Sequence, residues 1–262
     1  MSEQAYFVDL GDGRFRSTEH TVGPWDRAFQ HGGPPSALIG RCFERTEPRD
    51  DMRLSRVTVE ILGPVPVAEL VVSTRLVRPG KRVEMLEANV SAGGRDVLRA
   101  TAWRISAEPG RATARPHTYV AAPLPAPGEK PATFVGIDPF GYGESLEWRF
   151  AYGGFAEPGP SSVWTRLLVD VVAGEQPSGW QRVLSLADSG NGISGALPVQ
   201  EWLFINPDLT VALHREPVGA WVCLEAETAI DGSGIGLAAS DLSDERGWLG
   251  RGLQTLLIAP RQ

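Results

Sequence analysis

Residues 31–51 read HGGPPSALIGRCFERTEPRDD, and the fold is decided here. Two glycines and two prolines lead into Ser36-Ala37-Leu38-Ile39, and Cys42 and Phe43 continue the apolar stripe at helical spacing. Proline suits a first helical turn, where its missing N–H has no intrahelical partner to lose. The residue before a proline avoids the α region, so the helix should stop before Pro48. Strand signals come next. Val57, Val59 and Ile61 alternate, and GPVPV (63–67) makes a turn. ELVVSTRLV (69–77), KRVEMLEANVS (81–91) and RDVLRATAWRI (95–105) then read as three more strands, with RPG and GGR as their turns. A helix followed by an antiparallel meander is the first unit.

Upstream, to about Phe29, short apolar runs alternate with glycine and polar residues, as edge strands and turns do. Downstream, residues 107–162 are crowded with proline and glycine and show little periodicity. They predict a long connection wrapped on the surface, since they also carry Phe134, Phe140, Tyr142, Trp148 and Phe150. The pattern then restarts. SSVWTRLLVDVVA (161–173) reads as a strand, GWQRVLSLADSGNG (179–192) as a helix ending in glycine, and residues 204–258 as a second meander. The halves overlay: Pro66-Val67 falls on Pro217-Val218, Arg95 on Arg246 and Trp103 on Gln254, at a spacing of 151. Val57, Val59 and Ile61 fit Leu209, Val211 and Leu213 better, at 152. These patterns predict an internal duplication in an α+β chain, with units at 1–106 and 163–262 around a connection at 107–162.

Composition excludes several classes. The 262 residues are 42% hydrophobic, ample for a packed core, and no run reaches the roughly 20 apolar residues of a membrane span. A formal charge of −7 argues against nucleic acid as a partner. Four scattered histidines make no metal-binding spacing, and GxSxG, Walker and strand–GxGxxG–helix motifs are absent, so neither metal nor cofactor is expected. Cys42 and Cys223 lie far apart, and MSEQAYFVDLGDG lacks the marks of a signal peptide; both points predict a cytoplasmic protein.

Helix plus antiparallel sheet, repeated in tandem, is how a double hotdog would look. The strings GPWDRAFQHGGPPSALIGRCFER, ILGPVPVAEL, RPGKRVEMLEA, LADSGNG, EWLFINPDLTVALHREPVGAWVCLEA and RGLQTLLI carry a more specific likeness. Through them the chain resembles actinobacterial thioesterase-family proteins of the double-hotdog type, distantly similar to bacterial acyl-CoA thioesterase II. The resemblance implies hydrolysis of an acyl-CoA substrate by a water held by an aspartate, a threonine and a glutamine of the C-terminal unit. Asp188 in LADSGNG matches the aspartate and Gln254 in RGLQTLL the glutamine. The family strand has threonine two residues before an aspartate, where this chain has Asn206-Pro207-Asp208. Asparagine can orient a water but cannot relay a proton as a hydroxyl can.

The residues support these roles by themselves. Asp188 shares a helical stripe with Trp180 and Leu184, and a carboxylate on an apolar face is costly unless paired or functional. Desolvation would raise its pKa and improve it as a general base; the plainer alternative is an aspartate bonding the SGNG turn. Gln254 shares a strand face with Leu256 and Ile258 and should point inward, either to a water and substrate carbonyl or to backbone. Asn206 could position the water or simply make a turn before Pro207. Gly32 and Gly33 would offer N–H groups at a helix start to a thioester oxygen, and His31 would contact the acyl group, assist the water or pack beside the helix. Arg215 and Lys81-Arg82 read as CoA phosphate contacts or as solvated surface. Two competing functions remain: an enoyl-thioester hydratase, disfavoured because ADSGNG has no histidine after it, and a non-catalytic acyl-thioester binding protein. Sheet edges left open would allow a homo-oligomer.

Overall fold

The computed structural model describes residues 4–128, 139–155 and 157–261. The chain opens with the hairpin β1 (Ala5–Gly11) and β2 (Arg14–Ser17), followed by α1 (Gly33–Arg45). Thr46 caps α1, its hydroxyl donating to Cys42 O at 2.7 Å, and Pro48 prevents a further turn. The meander comes next as β3 (Met52–Ile61), β4 (Glu69–Arg78), β5 (Val83–Ala92) and β6 (Arg95–Ser106). Beyond the short α2 (Gly141–Glu144) comes a second hairpin, β7 (Leu146–Gly154) with β8 (Glu157–Leu167), then β9 (Asp170–Val172). Next are α3 (Gly179–Ala187), α4 (Gly190–Ile193) and β10 (Trp202–Ile205). The second meander is β11 (Asp208–Leu213), β12 (Trp221–Ile230), β13 (Ile235–Asp244) and β14 (Gly247–Pro260).

All these strands form one 14-stranded sheet in the order β7-β8-β12-β13-β14-β11-β3-β6-β5-β4-β2-β1-β9, with β10 paired to β14. Pairing is antiparallel except between β1 and the short β9. Outward from the β11–β3 seam, the strands repeat in matched order on both sides, which is the double-hotdog architecture. At the seam Thr58 pairs with Thr210, their hydroxyls 3.0 Å apart. The sheet curls around α1 and α3, which pack on each other. Leu38, Ile39 and Phe43 of α1 and Val183 and Leu184 of α3 fill the core with Val57, Leu86, Leu98, Val211, Leu224 and Leu242.

Three sequence expectations change. The repeat spacing is 152 along the whole meander. Leu86 pairs with Ala102 and Ala238 with Gln254, so Gln254 is the counterpart of Ala102 rather than Trp103. A one-residue slip in a strand turns every side chain to the other face, and Ala102 and Gln254 do both point inward. The connection expected at 107–162 is also shorter, because β7 and most of β8 fall inside it. These strands pair with each other and, through β8, with β12, a long-range pairing that composition does not reveal. Part of that stretch, residues 129–138 with Phe134, lies outside the described residues. Finally, the helix over GWQRVLSLADSGNG does not run into its glycines: α3 ends at Ala187, Asp188 is its C-cap, and α4 starts two residues later.

Candidate active site

Asp188 sits where α3 stops, directly against the start of α1. That closeness depends on glycine. A Cβ on Gly33 would run into the Ser185 carbonyl oxygen, and one on Gly32 would collide with the Asp188 carboxylate. The Asp188 side chain does not bond the SGNG turn. Its Oδ1 accepts from Asn206 Nδ2 at 2.8 Å and from Gln254 Nε2 at 3.2 Å. Gln254 Nε2 also donates to the Asp188 carbonyl at 3.0 Å, and Gln254 Oε1 accepts from Asn191 N at 3.0 Å. Gln254, at 2% exposure, is therefore satisfied by Asp188 and by backbone together. Asn206 Nδ2 also lies 3.3 Å from Asp208 O, a bond that spans Pro207.

The other Asp188 oxygen, Oδ2, faces the first unit. Gly32 N–H bonds the carboxylate, and His31 Nδ1 lies 3.4 Å from Oδ2. This last contact is not an ion pair. Burial pushes the His31 imidazole down to about 3, so the ring is neutral at ordinary pH. Nδ1 accepts from Gly33 N at 3.0 Å, which places the ring proton on Nε2. Burial pushes Asp188 in the opposite sense, up to about 7, while the bonds from Asn206, Gln254 and Gly32 hold it back. With 5% exposure and no cation beside it, this carboxyl changes charge near neutrality.

The helix start offers fewer donors than the sequence suggests. Gly32 N–H is on Asp188, Gly33 N–H is on His31, and Pro34 and Pro35 have none. The basic residues differ in their surroundings. Arg215 forms a bidentate clamp on Asp244, at 2.6 and 2.7 Å, while Lys81 and Arg82 are solvent-exposed. One contributor escaped the sequence reading, where it counted only as an aromatic of the connection. Tyr142 of α2 stacks on His31 with ring centroids 3.8 Å apart and planes within 6°. Its hydroxyl donates to Ser185 O at 2.8 Å and lies 2.7 Å from Ser189 Oγ, bracketing Asp188 along the chain. The only signal was an aromatic beside glycines in FGYGESLEW (140–148), and no local pattern reports a partner far away in sequence.

Among the described residues no group of three or more His, Cys, Asp or Glu could hold a metal, and no helix is long and apolar enough to cross a membrane.

This arrangement of two fused units, with a buried carboxyl where the helices meet, defines a double-hotdog protein. Residues 21–105 match the acyl-CoA thioesterase N-terminal domain and residues 116–258 the acyl-CoA thioesterase C-terminal domain. The chain belongs to the acyl-CoA thioesterase family. A search of curated proteins gives no match. Solved structures of similar fold include a protein described as a thioesterase from Novosphingobium aromaticivorans, 19% identical with a TM-score of 0.75 over 96% of this chain and 98% of that one. A hot dog protein from Alicyclobacillus acidocaldarius is 16% identical, with a TM-score of 0.74 over 99% and 97%. An acyl-CoA thioesterase II from Mycobacterium marinum is 13% identical, with a TM-score of 0.66 over 98% and 96%.

Proposed function

We propose that this chain hydrolyses acyl-CoA to a free acid and CoA, with Asp188 as general base. One observation carries the reading: a buried carboxyl, raised toward neutrality, held by Asn206 and Gln254 and set against Gly32 and His31 of the first unit. Ionised Asp188 takes a proton from water as the water oxygen bonds to the thioester carbon. The tetrahedral intermediate then collapses, the C–S bond breaks, and the departing thiolate takes the proton back from Asp188. Asn206 and Gln254 differ here from their expected use. Their amide nitrogens hold Asp188 and favour its charged form, leaving Asn206 Oδ1 to accept from the attacking water. The Gly33 N–H serves the oxyanion by exchanging His31 Nδ1 for the carbonyl oxygen. On this reading the chain divides at the β3–β11 seam, and its C-terminal unit begins at β7.

Thiol release from a panel of acyl-CoAs, with Asp188→Ala alongside, is the test. Turnover by the wild type and its loss in the variant are expected. Equal release by the two proteins removes Asp188 from the reaction, and no release on any chain length favours a non-catalytic binder. Hydration of an enoyl thioester has one observation behind it, because His31 supplies beside Asp188 the imidazole missing after ADSGNG. Loss of enoyl absorbance without thiol release would select that reaction instead.

A further inference from the structure

A cleft of about 500 Å³ opens beside the site, and none of the catalytic roles uses it. Its walls come from residues 23–27, from Phe140 ahead of α2, and from Val199 and Arg261. Two walls adjoin residues of the site. A Cβ on Gly23 would lie only 3.0 Å from the His31 backbone nitrogen, so this wall abuts the main chain of His31. Phe140 places its ring 6.5 Å from that of Tyr142, which stacks on His31. On the opposite side Arg261 ties down the segment ahead of β10, Nε donating to Val199 O at 2.8 Å.

The chemistry of the cleft is selective. Trp25 is 56% exposed, and the Arg261 guanidinium lies 4.8 Å from its ring centroid. Arg27 lines the same cleft. Asp26 lines it too, but its Oδ1 accepts from Ala28 N at 2.8 Å and so caps its own turn. An exposed indole with one guanidinium against its ring and a second in the same cleft suits a ligand that joins an aromatic ring to phosphates. The non-reacting end of acyl-CoA is such a ligand, and its pantetheine arm sets the nucleotide to one side of the thioester. We infer that the Trp25–Arg261 cleft is the nucleotide subsite. Adenine stacks on Trp25, Arg27 and Arg261 meet the phosphates, and the arm passes Gly23 and Phe140 to reach Asp188. The inference rests on the proposed acyl-CoA hydrolysis.

Two measurements test it. In the first, the ratio of kcat/KM for an acyl-CoA to that for the same acyl group on N-acetylcysteamine, which lacks the nucleotide, is compared among wild type, Trp25→Ala and Arg261→Glu. Each variant should lower the ratio by about tenfold, the worth of one base stack or charge pair. An unchanged ratio, or an equal loss on both thioesters, overturns the inference; the equal loss would assign the cleft to the acyl chain. The second measurement needs no hydrolysis: adenosine 3′,5′-bisphosphate is titrated into the same proteins by calorimetry. Binding by the wild type, weakened about tenfold in the variants, supports the subsite even if thioesterase assays fail. No binding by wild type, or equal binding by all three proteins, overturns it.

Discussion

Gln254 grips Asp188 at two points, its Nε2 lying 3.2 Å from the carboxylate and 3.0 Å from the main-chain carbonyl of the same residue. A strand side chain thus fixes both the end of α3 and the charge it carries. The pairing ties the position of the proposed base, and its ionisation, to the register of β14.

Activity should rise with pH through an inflection near 7, since burial raises Asp188 to about that value and only the charged form accepts a proton from water. Asp188→Asn should cut kcat/KM by roughly 10²–10⁴-fold while the protein stays folded. In Asn206→Ala the carboxylate loses a donor, so the inflection should move up by about one pH unit. Steady-state kinetics between pH 3 and 9 measure all three. An inflection near 4 in the wild type would show that another group governs the rate.

The same ionisation bears on stability. Asp188 titrates at about its ordinary 3.8 in the unfolded chain and at about 7 in the folded one. Between those values the folded chain keeps a proton that the unfolded chain has released, so stability falls as pH rises and levels off above 7. Neutral His31 acts with the opposite sign, costing stability as pH falls through the range 6.5 to 3. Comparing Asp188→Asn with wild type isolates the aspartate. The variant's melting temperature should gain on the wild type as pH goes from 4.5 to 7.5, and a constant difference would mean that the carboxyl is not strained by burial.

The architecture was legible because its signals are local: apolar stripes at helical spacing in 36–43, period-two alternation in the strands, and turn residues between them. Asp188 and Gln254 were legible as candidates because a polar residue on an apolar face has to be explained, and Asn206 through the family resemblance alone. Three features were hidden. The 151-residue overlay was off by one, because a repeat aligned on turns has nothing to fix its register, whereas the Thr58–Thr210 seam sets 152. The β7–β8 strands were masked by the proline and glycine around them. The contacts of His31 with Asp188 and Tyr142 span distant segments, so only the folded chain brings them together.

The approach of α1 to α3 sets up a steric prediction. A methyl at Gly33 meets the Ser185 backbone oxygen, which cannot turn aside as a flexible side chain can. Gly33→Ala should therefore push the helices apart and cost about 1–3 kcal/mol in denaturant unfolding. Gly63→Ala, where a Cβ meets nothing within 4 Å, is the control. Equal midpoints for the two variants would show that the helices tolerate a wider separation.

Tyr142 holds two parts of the site by different means, and substitution can separate them. Its ring lies flat on His31, whose Nδ1 accepts the Gly33 N–H, while its hydroxyl engages Ser185 and Ser189 on either side of Asp188. Tyr142→Phe keeps the stack and loses the hydroxyl bonds; Tyr142→Leu loses both. Without the stack, water reaches the imidazole and relieves the burial that pushes it down to about 3. The His31 ring signals, assigned by their loss in His31→Gln, should therefore titrate much closer to 6.5 in Tyr142→Leu and stay near their low value in Tyr142→Phe. Turnover should fall in both, by about tenfold in Phe for the lost hydrogen bonds and further in Leu, with KM for acyl-CoA changing less than kcat. A His31 titration that is the same in the two variants would separate Tyr142 from His31 and leave the tyrosine a packing role alone.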